Sequence, residues 1–567
     1  MTDRPAVPAA FFYLAGALVY LSFGFTEMMG SDLWWHLAAG REIVQTGSVG
    51  LVDSWSFTEN GSVWHNHEWL ADLIFYGWAS VFGVESLVYW KWLLIVATFL
   101  LLQRALMRLG ASSPSALVCS VAALAIAAPY LDLRPQLYTL LGISVLLNLA
   151  LWRTPKLWAI GLLFVVWVNL HGGFIFGLML LGILVFPWNV LSQSEEKKEA
   201  FKGPLITLAV AVVACLINPD FVRVFVLPLT YALNADSPYR SIAEWRSPLE
   251  AGGIVSGPYL YSLVVGASAA LCWLLPTLRR KVPFVPEAVV FALLTAAMSL
   301  TSRRFTILWA IAVAVLLHPF LAALLRERLP RSATVVLLTL MVIWAVDRLQ
   351  QYSLRPAVAY HYLTAEYTYP HGLAEFVALN QLEGNTFALY NWGGFLHWRT
   401  DGALKVFIDG RANTVFDDQT YLDYVAVAGA QPGWLERVEN SGATLFLWPR
   451  ARGGERLIRG LQNTGRWILL YQDARGALLA HEDHPLPPTL RLPKDTLAAD
   501  LAETFVTTRK GEYEVAEVAA RRAWEREPWN QAACTGHKRT LQLVGKAKEA
   551  DAVMEACRGL FSSRFLR

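Results

Sequence analysis

Charge is scarce in this chain. Only 16% of its 567 residues are Asp, Glu, Lys or Arg, while 55% are hydrophobic and the mean hydropathy is +0.38. That profile excludes an ordinary soluble globular protein, in which about 25% of residues are charged. The 48 basic residues nearly cancel the 45 acidic ones, leaving a net charge of +3. So small a surplus supplies no basic surface, and no nucleic-acid partner is expected. Cysteine is sparse too. The five cysteines have no metal-ligand spacing, and Cys119, Cys215 and Cys272 each fall inside an apolar run, where a thiol packs as a small hydrophobe. Only Cys534 and Cys557 lie in polar sequence, in neighbouring predicted helices, where an oxidising compartment would let them bridge. The zinc-protease pattern of two histidines at i and i+4 is missing, because His65, His67 and Glu68 are spaced differently. No small-residue cleavage signature follows the first apolar run, which therefore reads as a retained helix and not as a removed signal peptide.

What the chain has instead is apolar runs. Residues 11–29 suffice to cross a bilayer core, which takes about 20 helical residues. Further runs fit 86–106, 116–130, 137–151, 157–170, 174–191, 204–217, 259–275, 285–300, 305–325 and 333–344, so the sequence predicts about eleven spans in a mainly helical, polytopic bundle over residues 1–350. Arg104 with Arg108, Arg153 with Lys156, the loop around Lys197 and Lys198, Arg279 with Arg280 and Lys281, and Arg326, Arg328 and Arg331 all fall in one alternating set of connections, which the positive-inside rule makes cytoplasmic together with the N-terminus. The opposite set carries Asp32, His36, Arg134, Gln136, Asn169, His171, Asn218, Arg303 and Arg304 at span ends. A charge near a helix centre in lipid costs about 2.5 to 3.5 kcal/mol, and less at its ends. Collected on one face, these groups predict a polar cavity open to the outside and to lipid.

Asp32 stands where the first span meets a polar loop, 31–85, flanked by Trp34, Trp35 and His36. Leu33, Leu37, Ile43 and Val44 suit an amphipathic helix on the membrane surface, ended near Gly47 and anchored at headgroup level by the two indoles. Residues 52–58 alternate like a short strand or turn, and 64–70 open a second helix. His65, His67 and Glu68 fit an interfacial Trp/His belt as well as contact with a substrate.

From about residue 352 the pattern changes. Strands at 386–390, 405–409, 444–447 and 467–471, alternating with helices, predict an α/β domain over 351–485, placed outside the membrane by the odd span count. Trp392-Gly393-Gly394 and Asp409-Gly410-Arg411 sit at the outgoing ends of two of those strands, where open sheets place binding residues. Asp409 and Arg411 fit either contact with an acceptor or a structural pair within a turn, and Asp417-Asp418 reads as a solvated turn. Residues 486–567 are helical, with Ala516, Ala519, Ala520 and Ala523 on one face, like a degenerate tetratricopeptide unit short of the usual three repeats. Such a tail docks on the rest of the chain or on a protein partner.

Residues 31–43 with 64–70, Arg134-Pro135-Gln136, Asn169 to Gly173, Trp392-Gly393-Gly394 and Asp409-Gly410-Arg411 together resemble a bacterial branch of the GT-C superfamily, the polytopic glycosyltransferases that use polyprenyl-phosphate-linked sugars. The resemblance implies an inner-membrane enzyme with a periplasmic C-terminal region, moving a sugar to a glycan, lipid or protein acceptor. In that family the carboxylate after the first span is the general base on the acceptor or binds a divalent ion, Mg or Mn, and by position both roles fall on Asp32. Where many members carry a second acidic residue beside it, this chain has Leu33, and the nearest alternatives are Glu27, Asp53 and Glu68. The chemistry also needs cations for the departing phosphate. Arg134, Arg303 and Arg304 are the candidates, since a guanidinium stays charged and binds phosphate through paired donors. Arginines snorkelling to headgroups account equally for Arg303 and Arg304. His36, His65, His67, Glu68, Gln136, Asn169, His171, Asp409 and Arg411 complete the candidate substrate pocket, although helix-end satisfaction beside a Gly-Gly break also explains Asn169 and His171. A catalytically silent scaffold that binds an exported partner through its outer domains is the alternative from another class. A lipid-linked glycan transporter is a third, weakened by charges gathered on one face.

Overall fold

The computed structural model describes residues 7–26, 28, 30–150, 155–188, 197–226, 236–250, 256–325, 330–350, 369–450, 453–528 and 530–558. The expectations placed on Glu27, Arg153, Arg326, Arg328 and the change of pattern at 352 lie outside these residues. The chain divides into two compact units, one formed by Met1–Thr26, His67–Ala71 and Tyr89–Leu349, the other by Glu27–Asn66, Asp72–Val88 and Gln350–Arg567.

The first unit is helical. Ala9–Gly24, Leu87–Arg108, Ser113–Ala127, Gln136–Ala150, Leu157–Leu170, Phe174–Val185, Lys197–Cys215, Gly257–Cys272, Pro286–Thr301, Thr306–Leu325 and Arg331–Gln350 each coincide with one apolar run of the sequence. Four stretches, Val84–Arg108, Ser113–Tyr130, Arg303–Leu324 and Arg331–Leu349, are long and apolar enough to cross a membrane by length and composition, and the chain is a membrane protein on that ground. The remaining apolar helices are shorter, at 10–17 residues. Helix starts follow local chemistry: Ser112 and Ser256 accept the backbone N–H of Ser115 and Tyr259, with a proline in each first turn. Leu162, Val213, Val264 and Leu293 face outward, the cover that lipid-facing helices need. Inside, small residues let helices approach closely. The Trp167 indole is seated against Gly142 and Gly177, where an added Cβ would lie 2.7 and 2.5 Å from the ring.

In the second unit five strands form one sheet. They are β3 (Gly384–Ala388), β4 (Leu404–Val406), β5 (Leu445–Pro449), β6 (Trp467–Gln472) and β7 (Gly476–His481), in the order β4-β3-β5-β7-β6. β4, β3 and β5 are parallel, while β7 pairs antiparallel with β5 and β6. The parallel strands are linked through the helices Gly393–Arg399, Asp418–Ala428 and Trp434–Asn440, as parallel pairs require. Asp417 caps the second of these by accepting the Thr420 N–H, which explains that acidic pair.

The loop after the first apolar run belongs to this same unit. Its short antiparallel pair β1 (Leu51–Val52) and β2 (Val63–Trp64) leads into a parallel bridge between Ser56 and Val406. The Val406 N–H donates to Trp55 O at 2.9 Å, and the Phe57 N–H donates to Val406 O at 3.2 Å. This segment therefore covers the β4 edge of the sheet, closing a row of backbone groups that would otherwise pair elsewhere. The helix Asp32–Thr46 ends at Gly47, which takes the left-handed φ of 66° that glycine permits.

One expectation is corrected here. Trp34 and Trp35 are not headgroup anchors: they are 2% and 8% exposed, covered by protein. The Trp34 ring meets Phe395 and Tyr369 edge-on at 5.1 and 5.5 Å, and Trp35 lies against Gly394 and Gly410. Burial of the two large rings among other aromatics outweighs their affinity for a membrane interface.

Four consecutive helices, Leu497–Lys510, Tyr513–Arg526, Gln531–Leu543 and Ala547–Arg558, form the tail, each packing on the next. Ala516, Ala519, Ala520 and Ala523 are buried, as their spacing foretold, and Cys534 is disulfide-bonded to Cys557.

Candidate functional site

In the helical unit, the three arginines proposed for phosphate come together. Arg134 is ion-paired with Glu244 in the segment 236–250. That segment is laid over the turn preceding Thr306–Leu325, where Ser302 Oγ donates to Glu244 O at 3.0 Å and the Arg303 N–H donates to Arg246 O at 3.0 Å. The Arg304 guanidinium stacks over Trp245 at 4.7 Å. Burial pushes the Glu244 carboxyl up, but Arg134, Arg304 and Arg303 outweigh it and hold the group below the usual range. Three guanidinium groups thus converge on one carboxylate, with a formal surplus of two positive charges. Arg303 Nε is buried without a hydrogen-bond partner. Glu244 was not singled out from the sequence. Its only signal there is an acidic residue beside tryptophan, Glu244-Trp245, in a segment facing three arginines that need a counter-charge.

A second cluster in the same unit joins Glu68, His67 and His171. Glu68 Oε1 lies 3.6 Å from His171 Nε2 and 3.9 Å from His67 Nε2. His171 Nδ1 accepts the Gly173 N–H at 3.0 Å, which fixes it as the unprotonated nitrogen of the neutral ring and turns the Nε2 proton toward Glu68. Thr139 Oγ1, which accepts Trp167 Nε1, lies 2.7 Å from the same Nδ1. Asn169 is consumed by structure, donating to the carbonyls of Val165 and Ile217 and accepting from Trp69 Nε1. Gln136 likewise donates to Tyr130 O.

In the second unit, Asp409 and Arg411 form a closed interior cluster. Arg411 donates through Nε and Nη2 to Asp409 and sits 2.6 Å from Asp53 through Nη1, all three side chains being shut off from solvent. The guanidinium packs over Trp55 at 4.3 Å and Trp64 at 5.0 Å. Burial alone would lower the Arg411 pKa, but Asp409 and Asp53 overcome it and raise it further. Glu42, accepting Trp55 Nε1 at 2.6 Å, has its carboxyl pushed up by burial in spite of that bond. Of the two readings of Asp409 and Arg411, this geometry fits the structural one. Asp53, one of the nearest alternatives to a second catalytic acid, is held in the same cluster.

Close by in the same unit, Asp32 opens its helix with its carboxylate over the Asp409-Gly410-Arg411 turn: a Cβ built on Gly410 would lie 3.4 Å from Asp32 Oδ1. Both glycine motifs sit past the ends of parallel strands, as expected, and the close approach is what their glycines permit. A Cβ on Gly394 would lie 2.9 Å from the Trp35 backbone nitrogen. His36 is buried, with Nδ1 2.5 Å from Asp72, which also accepts Asn66 Nδ2 at 2.7 Å. Its ring stacks against Trp35 with 3.6 Å between centroids, so it supports the site from behind. His65 is half-buried beside Trp64 in sequence. Among the described residues no group of three or more His, Cys, Asp or Glu side chains is placed to hold a metal ion, and no step below is routed through one.

No protein-family model and no curated protein matches the chain. Among solved structures, the crystal structure of ArnT from Cupriavidus metallidurans in the apo state is similar at a TM-score of 0.44, with 14% identity over 83% of this chain and 97% of that chain. A likeness this distant leaves the chemistry to be argued from the side chains.

Proposed function

We propose that this protein is an inner-membrane glycosyltransferase that moves a sugar from a polyprenyl-phosphate donor to a hydroxyl of a glycan, lipid or protein acceptor on the periplasmic face. The observation that carries the reading is the convergence of Arg134, Arg303 and Arg304 on Glu244. A lipid phosphate leaving the anomeric carbon needs fixed positive charge where its own charge develops, and guanidinium groups meet that need without a proton of their own to manage. Asp32 has the complementary role. As the acceptor oxygen attacks the anomeric carbon, its proton passes to the Asp32 carboxylate. The bond from that carbon to the phosphate oxygen breaks, and the electron pair stays on the phosphate held by the arginines. The products are a new glycoside and polyprenyl phosphate.

The test uses full-length protein in lipid nanodiscs with radiolabelled undecaprenyl-phosphate sugars and a membrane-glycan extract as acceptor. Wild type is expected to transfer label and release undecaprenyl phosphate. Asp32→Asn should lose at least a hundredfold in turnover, in line with the contribution of about 10² to 10⁴ from a positioned base, with little change in donor binding. Arg303→Gln and Arg304→Gln should weaken donor binding instead. Equal turnover by Asp32→Asn would remove Asp32 from the mechanism, and no release from any donor would overturn the reading.

A further inference from the structure

The Trp35 indole N–H is buried without a hydrogen-bond partner, although the residue is only 8% exposed. Burying such a donor unpaired costs about 1 to 3 kcal/mol, so the arrangement calls for a ligand. The position of Gly410 tells where that ligand would sit. A methyl-sized group placed at its missing Cβ would be 3.2 Å from Trp35 Nε1 and 3.4 Å from Asp32 Oδ1. The glycine therefore keeps open one small space onto which a buried donor and a carboxylate both face. Three contacts fix its walls: the Asp409 turn is tied by its own arginine, the Trp35 backbone is seated on Gly394, and the His36 ring backs the indole.

We infer that this space is a binding slot for a single alcohol hydroxyl of a sugar, accepting from Trp35 Nε1 and donating to Asp32. The chemistry selects the group. A hydroxyl is donor and acceptor at once and satisfies both walls. A carboxylate or phosphate would satisfy the indole but repel Asp32, an ammonium would leave the indole unpaired, and a carbonyl would leave the carboxylate unserved. The inference deepens the proposed function and rests on it for one point: this hydroxyl is the acceptor's, held where Asp32 can take its proton. Trp35 is then the residue that orients the attacking oxygen.

The test needs no donor, so its outcome is separate from that of the transfer assay. Full-length protein with ¹⁵N-labelled tryptophan, in nanodiscs, is titrated with methyl α-D-glucopyranoside, methyl α-D-mannopyranoside and, as control, the sugar-free alcohol-lacking probe sodium acetate. Trp35→Phe, which keeps a ring against Gly394, assigns the indole resonance by its disappearance. The expected result is a saturable downfield shift of the Trp35 Nε1–H with at least one glycoside and none with acetate, abolished in Gly410→Ala, whose methyl fills the slot. Should Gly410→Ala fail to fold, nuclear Overhauser contacts from glycoside protons to the Trp35 indole proton in the wild type decide the matter. A Trp35 resonance that no glycoside moves, or a shift that survives in folded Gly410→Ala, overturns the slot. A shift without sugar transfer leaves the slot standing and overturns the transferase reading alone.

Discussion

His397 shows how a single buried side chain sets the pH response of the second unit. Its ring stacks on Trp55 at 4.2 Å, and its Nδ1 is buried with no hydrogen-bond partner. Burial first, then the positive charges of Arg411, Arg41 and Lys405, hold its pKa well below 6.5. The unfolded chain therefore takes up a proton that the folded chain refuses. His397 contributes stability that is fully present above pH 6.5 and is lost as pH falls below it, at up to about 1.4 kcal/mol per pH unit. Glu42 works the other way, because its raised carboxyl pKa favours the folded chain at low pH and loses that contribution as pH rises above 4.5. The comparison of wild type with His397→Phe, which keeps the stack on Trp55, isolates the histidine: thermal midpoints should diverge below pH 6.5 in the variant's favour, and parallel curves would show that the ring is not held neutral. Arg411 gives the complementary case. Arg411→Met leaves Asp53 and Asp409 buried without their cation and should cost about 3 to 5 kcal/mol. Adding Asp53→Asn and Asp409→Asn should recover most of it, as read from the thermal midpoint.

At the scale of elements, what was legible depended on whether the signal was local. Each apolar run of the first unit became a helix, because about fifteen to twenty apolar residues have few other ways to satisfy their backbone. The Asp32–Thr46 helix was legible from Leu33, Leu37 and Ile43, and its end from Gly47. The strand ends carrying Trp392-Gly393-Gly394 and Asp409-Gly410-Arg411 were legible too. The surroundings of the tryptophans were not, since Trp34 and Trp35 have the same sequence appearance at a membrane interface and in an aromatic core. Nor was the pairing of Ser56 with Val406, which spans most of the chain and leaves no periodicity. Those glycines nevertheless carry an element-level consequence. A Cβ on Gly393 would come within 2.4 Å of Asp409 Cβ and 3.1 Å of Ile408 O, against backbone that cannot rotate away. Gly393→Ala should therefore force the Gly393–Arg399 helix off the end of β4 and destabilise the protein by about 1 to 3 kcal/mol, the usual cost of overpacking. Gly433→Ala, with no atom within 4 Å of its added Cβ but a φ of 80°, is the matched control for backbone strain alone. If both lower the melting temperature equally, close packing is not what Gly393 serves.

For the molecule as a whole, the arrangement of basic loops and the packing of the helical unit bear on the same question. Loop alternation assigned the turns holding Arg134 and Arg303 to one side of the membrane, and inside the helical unit Arg134, Arg303 and Arg304 share one partner, Glu244. Groups that share a half-buried carboxylate lie at one end of their helices, so the turns at 131–135 and 302–305 must face the same compartment whichever compartment that is. The expectation that this is the periplasm is open to direct measurement. With Cys119, Cys215 and Cys272 replaced by alanine, single cysteines at Asp132, Arg246 and Thr301 should react with a membrane-impermeant maleimide in intact spheroplasts, whereas cysteines at Lys156 and Lys281 should react only after lysis. Reaction of all five from one side would mean that the intervening helices do not cross the membrane. Labelling of Asp132 and Thr301 from opposite sides would contradict the shared Glu244 contact, and with it the phosphate cluster on which the transfer chemistry depends.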